Sequence, residues 1–193
     1  YGLVGANGSG KTTFLDIVSG QLEASEGTVS IPKRLRLGGL RQDQFLYEDE
    51  EILAVTMMGN PELWEAMVEK EELLAKAEQH FDADRFSEVE ETVQRHDGYT
   101  AEARATKILE GLGLPGHIHG DPLSTLSGGF KLRVLLAQVL AGVPDVLLLD
   151  EPLGALDPIV RSELQVDLRD IFRTLNKTVV MVTHDMGEAG FFG

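Results

Sequence analysis

Hydrophobic positions along this chain follow two rhythms. Toward the two ends, short aliphatic or β-branched runs (28–31, 146–149 and 178–182) are joined to stretches with apolar residues every three or four positions, at 11–19, 128–140 and 159–175. The runs predict strands and the stretches predict helices. Strands alternating with helices predict a mainly parallel sheet covered on both faces. Tyr1-Gly2-Leu3-Val4 reads as the end of one more strand, so an upstream part of the fold is expected to be missing. The middle of the chain is purely helical in rhythm. Residues 62–76 lack Gly and Pro and carry Leu63, Ala66, Met67, Leu73 and Leu74 at helical spacing. Residues 82–95 carry Phe86, Val89 and Val93, and Gly98 separates them from a third helix over 101–112. The expectation is a helical insertion within an α/β core, with no internal repeat.

Charge sharpens this division. The 193 residues carry a formal charge of −15, and −11 of it lies in residues 44–107. A solvated helical face accounts for that excess. The charge argues against general nucleic-acid binding, since phosphate contacts need clustered Lys and Arg, and no direct DNA contact is expected. The chain has no cysteine, which excludes disulfides, thiolate metal sites and cysteine nucleophiles. No apolar run reaches the ~18–20 residues of a membrane span. No basic-then-apolar leader marks secretion. The length suits one domain with an insertion.

The first chemical signal follows the first strand. Gly5-Ala6-Asn7-Gly8-Ser9-Gly10-Lys11-Thr12 matches G-x-x-x-x-G-K-[ST]. Glycines let the backbone wrap closely, so that N–H groups point inward at phosphate oxygens. The helix starting near Lys11 adds the positive end of its dipole. Lys11 is expected to reach the β- and γ-phosphates, and the Thr12 hydroxyl to ligate Mg²⁺, with Thr13 following in the same turn. The glycine spacing is wrong for a dinucleotide fingerprint.

Acidic partners lie far down the chain. Val146-Leu147-Leu148-Leu149 reads as a buried central strand ending in Asp150 and Glu151. Asp150 is expected to hold Mg²⁺, directly or through water. Glu151 can orient or deprotonate the attacking water. A second strand ends at Thr183-His184-Asp185, where His184 can meet the γ-phosphate or the water. Gln42 stands between core and insertion, placed to touch Mg²⁺ and water on one side and to move the insertion on the other. Ser127-Gly128-Gly129 precedes a helix, and its free N–H groups make another anion site about 117 residues from the first. Two such sites are most simply explained if they serve one nucleotide from two subunits or domains. His80, His96, His117 and His119 follow no ligand pattern.

Together these parts resemble the ATP-binding-cassette (ABC) ATPase family. The resemblance makes residues 5–12 the Walker A motif, Gln42 the Q-loop, Leu126-Ser127-Gly128-Gly129 the signature, and residues 146–150 the Walker B strand with catalytic Glu151. It makes Ala155-Leu156-Asp157 the D-loop and His184 the switch histidine. It implies ATP and Mg²⁺ as ligands, with Thr12, Gln42 and Asp150 around the metal. It also implies a second cassette, in tandem or as a homodimer, closing head to tail so that Ser127, Gly128 and Gly129 of one face the phosphates held by the other. The implied fold is α/β, a P-loop NTPase (RecA-like) parallel-sheet core of residues 1–43 and 142–193, N-terminally truncated. Residues 44–141 form a helical and signature subdomain with an arm-like insertion at about 60–107.

Two subfamilies are visible. Residues 1–143 resemble the ABC-F group, soluble tandem-cassette proteins acting on ribosomes. The reasons are the short interval from Lys11 to Gln42, Leu40-Arg41-Gln42-Asp43-Gln44-Phe45, the acidic insertion, and Gly128-Gly129-Phe130-Lys131-Leu132-Arg133-Val134. Residues from about 152 to 193 resemble the ATP-binding subunit of an osmoprotectant or amino-acid importer, through Pro152-Leu153-Gly154-Ala155-Leu156-Asp157-Pro158 and Val182-Thr183-His184-Asp185-Met186. The first resemblance implies a cytoplasmic protein with the ribosome as partner. The second implies a place on the cytoplasmic face of the membrane beside permease subunits. A third reading is a nucleotide-binding fragment without turnover. The adenine-stacking aromatic of the family would precede Tyr1, and only one cassette is present, so weak or absent turnover is expected of the chain alone.

Overall fold

The computed structural model describes residues 1–40, 46–77, 82–154, 156–175 and 177–192. Four strands form one parallel sheet: β1 (Gly2–Val4), β2 (Leu37–Leu40), β3 (Val146–Asp150) and β4 (Thr178–Thr183), in the order β1-β4-β3-β2. The register decides where the chemistry lies. Val4 pairs with Thr183, Asp150 with Val182 and Leu40 with Leu149. All four strands therefore end along one edge, where open α/β sheets bind ligands.

Apolar side chains on both faces of β3 explain its unbroken hydrophobic run. Leu148 packs with Leu15 of helix α1 (Lys11–Val18) and Val182 of β4. Leu147 and Leu149 join the larger core with Leu132 and Leu136 of one helix and Leu164 and Leu168 of another. With β1 to β4 interleaved, the helices are α2 (Ile52–Met57), α3 (Pro61–Ala75), α4 (Ala83–Arg95), α5 (Ala101–Gly111), α6 (Gly128–Ala141), α7 (Pro158–Leu175) and α8 (Met186–Phe192). Helices α2 and α5 add Ile52, Val55 and Leu109 to the main core beside α6. Helices α3 and α4 instead close over a small cluster of their own, Leu63, Ala66, Val89 and Val93 with Ala101.

Both helices of that pair start at side-chain caps. The Asn60 carboxamide accepts from the Leu63 N–H, with Pro61 at the first helical position, and the Asp82 carboxylate accepts from the Arg85 N–H.

Four elements depart from the sequence expectation. Residues 28–31 form no strand, and Val29 and Ile31 are exposed. A β-branched run becomes a strand only where a neighbour completes its hydrogen-bond ladder, and no described strand runs beside it. The strand in this part of the chain is β2, Leu37-Gly38-Gly39-Leu40, which glycine conceals from propensity reasoning. Its glycine has a packing cause: a Cβ on Gly38 would lie 2.6 Å from Cγ1 of Val139 in α6. The short helices α2 and α8 carry too few turns to show a period.

Candidate active site

The turn from β1 to α1 builds a phosphate cradle. Gly8 and Gly10 adopt φ of 77° and 87°, which other residues reach only with strain. A Cβ on Gly5 would lie 2.6 Å from Ser9 Oγ. The Ser9 N–H closes the turn on Ala6 O at 3.2 Å. Helix α1 then begins with no side-chain cap, which leaves its first N–H groups for a ligand. A polar pocket of about 380 Å³ opens there, lined by Asn7, Gly8, Gly10, Lys11, Thr12, Thr13 and Glu151.

Sheet register brings the distant acids to this pocket. The Thr12 hydroxyl donates to Asp150 Oδ2 at 2.8 Å across 138 residues of sequence. Asp150 is 8% exposed, and its Oδ1 is buried with no hydrogen-bond partner among the described residues. A hydroxyl beside a carboxylate with an unsatisfied oxygen is a hard-cation donor set, so these two residues suit Mg²⁺.

Lys11 is equally buried. Its Nζ donates to Gly5 O and Ala6 O, both at 2.9 Å, and lies 3.3 Å from Glu151 Oε1. The second oxygen of Glu151 lies 3.0 Å from His184 Nδ1. Burial pulls the Glu151 carboxyl upward, but contacts from His184 and Lys11 outweigh it and hold the group below the usual carboxylate range. Glu151 also adopts φ of 43°, a left-handed backbone that costs a non-glycine residue on the order of 1–3 kcal/mol. The surrounding hydrogen bonds keep it there: its N–H donates to Val182 O, and its carbonyl accepts from the Gly154 N–H, both at 2.9 Å.

The signature residues stand elsewhere. Ser127 is exposed at the start of α6, and its side chain forms no capping bond. A Cβ on Gly128 would lie 3.1 Å from Leu156, and one on Gly129 3.1 Å from Val160. These contacts set the signature against the turn before α7 and the first turn of α7 itself. Asp157 caps that helix, accepting from the Ile159 and Val160 N–H groups at 3.1 Å. None of Ser127, Gly128, Gly129 and Asp157 lines the cradle pocket within the chain. Gln42, with the rest of Arg41 to Phe45, lies outside the described residues, as do His80, Ala155 and Gly193. Buried His119 has a packing role, its Nε2 lying 2.9 Å from Leu114 O. Sequence reasoning passed over Arg161 and Glu188. Their only signal was position, each four residues beyond a motif residue (Asp157 and His184).

A P-loop turn, a helix-start cradle and two carboxylates on the next strand but one define an α/β P-loop nucleotide-binding protein. The chain belongs to the ABC transporter family, whose model matches residues 1–154. It is 43% identical over 187 residues to "Probable ATP-binding protein YbiT" of Escherichia coli O157:H7, spanning 96% of this chain and 34% of that protein. It is 32% identical over 192 residues to the methionine import ATP-binding protein MetN of Streptococcus agalactiae, spanning 96% of this chain and 48% of that one. The chain thus spans about a third to a half of these relatives. Among solved structures, the dimeric cassette MJ0796 bound to ADP and Pi matches with a TM-score of 0.64 and 25% identity, over 98% of this chain and 76% of that one. No helix among the described residues is long and apolar enough to cross a membrane.

Proposed function

We propose that this chain is one ATPase cassette, which binds Mg-ATP in the cradle and hydrolyses it when a second cassette closes over the pocket. The carrying observation is the convergence of Lys11, Thr12, Asp150, Glu151 and His184 on one strand edge. Cradle N–H groups and Lys11 take the phosphates through charge-assisted hydrogen bonds. Thr12 and Asp150 hold Mg²⁺, which supplies charge neutralisation on the phosphate oxygens. Glu151 takes a proton from the attacking water, and His184 holds its carboxylate in place. Phosphates that draw Lys11 away from Glu151 also return basicity to that carboxylate, so ligand and base are coupled through one lysine. Ser127, Gly128, Gly129 and Asp157 act across the dimer interface on the partner's nucleotide.

The test is a Glu151→Gln chain with ATP. It should keep ATP and accumulate as a nucleotide-bound dimer by size-exclusion chromatography while phosphate release stops. Undiminished turnover in that variant would sink the assignment of Glu151.

For the coupled process we favour ABC-F-like action on the ribosome. The support is the separately packed α3–α4 pair in the position of an arm, and a 43%-identical relative nearly three times as long, with room for a second cassette. In this reading residues 1–43 and 142–193 act as the ATPase core and 44–141 as the moving part, in the cytoplasm. Similarity to a methionine import subunit favours a second reading, a peripheral ATPase on permease subunits at the membrane. Co-sedimentation of the full-length Glu151→Gln protein with ribosomes in ATP separates them. Recovery with membranes and not with ribosomes would select the importer.

A further inference from the structure

Behind His184 lies a buried ionic contact that the chemistry above does not use. Glu188 is 4% exposed, in the first turn of α8. Its Oε2 accepts from the Thr183 hydroxyl at 2.6 Å, and the same hydroxyl oxygen accepts from the Asp185 N–H at 3.0 Å. Both neighbours of His184 are thereby fixed to one carboxylate network. The other oxygen of Glu188 lies 4.0 Å from Nε of Arg161, on α7. Arg161 Nη2 in turn donates to Gly154 O at 3.4 Å and Leu156 O at 3.3 Å, in the turn that follows Glu151.

These contacts close a ring. It runs from Glu151 to His184, along the chain to Thr183, to Glu188, to Arg161, to the Gly154 carbonyl, and back through the Gly154 N–H to Glu151 O. We propose that Arg161 and Glu188 are positioning residues which hold the strained Glu151 turn and the His184 strand end at one fixed separation. The assignment rests on the reading of Glu151 as the water-activating base.

The physical case has two parts. Glu188 is a buried carboxylate beside a partly buried guanidinium, a costly placement unless the charge is compensated, so removing Arg161 leaves a buried charge that rearranges its surroundings, and removing Glu188 frees the Arg161 and Thr183 contacts it holds. The groups attached at each end are those whose relative placement matters. A left-handed Glu151 persists only where its surroundings over-determine it. A shift of about 1 Å at a reacting group can cost on the order of 100-fold in rate. The pair also reaches Leu156, which packs on Gly128 of the signature, so the same strut ties the switch to the surface a partner cassette would meet.

The experiment uses the full-length protein with Glu188→Ala, Glu188→Gln, Arg161→Met and Arg161→Lys. ATP turnover is measured against ATP concentration, and amide hydrogen exchange is followed at Gly154 and Leu156. Glu188→Ala and Arg161→Met should lower kcat by about ten-fold or more with KM held within about two-fold. Exchange at Gly154 and Leu156 should quicken while the α1 amides stay unchanged. Arg161→Lys should restore part of kcat, because it keeps the charge beside Glu188 but reaches fewer carbonyls. Should Glu188→Ala fail to fold, Glu188→Gln decides the matter: it keeps the acceptor for Thr183, loses the charge, and should still lower kcat. Normal kcat in the folded variants, or unaltered exchange at Gly154 and Leu156, would overturn the strut. If the unaltered full-length protein hydrolyses no ATP, the ATPase reading fails while the exchange data still decide the strut.

Discussion

The cradle and the α3–α4 pair handle charge in opposite ways. At the cradle charges are few and buried: Lys11 and Asp150 are 8% exposed, Lys11 meets two carbonyls and a carboxylate, and Asp150 takes the Thr12 hydroxyl on one oxygen and keeps the other unpaired among the described residues. On α3–α4 ion pairs are abundant and near solvent. Arg85 grips Glu69 and Glu88, Lys70 meets Glu90, and Arg95 reaches Glu62 and Glu91. Frequency and consequence run against each other. An exposed pair contributes little because water and salt screen it, whereas a buried charge that loses its partner cannot be rescreened. Chemistry therefore concentrates where the charges are few.

The contrast breaks first at Glu151. Glu151→Gln keeps the shape but removes the proton acceptor, so kcat should fall by about 10²–10⁴-fold with ATP affinity retained. Phosphate release and equilibrium binding of a fluorescent ATP analogue, measured side by side, check this. Lys11→Ala comes next and acts on the other parameter. Loss of a buried, charge-assisted contact to phosphate should weaken ATP binding by about 10–100-fold. Calorimetric titration would expose an unchanged affinity, which would remove Lys11 from the cradle.

How much of this contrast could be read from the chain depends on what each part rests on. Gly5 to Thr12 was legible because a phosphate cradle needs particular residues at fixed spacing, and Asp150 and Glu151 because a buried strand ends in two acids. Helices α3, α5, α6 and α7 were legible because their apolar residues keep one period. Strand β2 was not, since Gly38 is demanded by the close approach of Val139, a contact made 101 residues later in the sequence. Residues 28–31 misled for the converse reason: local preference without a ladder partner makes no strand. Ser127 and Asp157 were legible as chemical groups, but a single chain does not bring them to the pocket. The join between Glu188 and Arg161 was invisible because it depends on α7 and α8 being folded beside each other.

Acid sharpens the comparison on the α3–α4 side. Hydrogen bonds from Lys70, then Tyr99 and Gln94, lower the Glu90 carboxyl from 4.5 to about 2. A carboxyl whose folded value lies below its unfolded one stabilises the fold above the unfolded value and loses that contribution as pH falls toward the folded one. The stabilisation from Glu90 should be complete above about pH 4.5 and fade between there and about pH 2. Melting curves of the unaltered chain and Glu90→Gln should differ at pH 6 and converge in that acid window. A difference independent of pH would mean that packing, not ionisation, is what Glu90 contributes.

The smallest effect is expected at Arg85, and it bears on how the acidic pair could meet a ribosome. Arg85 places Nε and Nη2 on the two oxygens of Glu69, at 2.6 and 2.7 Å, and Nη1 on Glu88 at 2.9 Å. The geometry is bidentate, yet both side chains are well exposed, so Arg85→Ala should move the melting midpoint by less than about 3 °C. A guanidinium so occupied must break two carboxylate contacts before it can take a phosphate, in a region whose net charge repels phosphate. If ribosome binding occurs, the α3–α4 pair should therefore meet protein and not RNA. The salt dependence of association is the sensitive measure, because each arginine that engages phosphate contributes about one to the slope of log affinity against log salt. The double variant Arg85→Ala, Arg95→Ala should leave that slope unchanged. A slope shallower by about one per arginine would show that both leave their acids for the RNA backbone, and the apparent inertness of the surface pairs would be a property of the free chain alone.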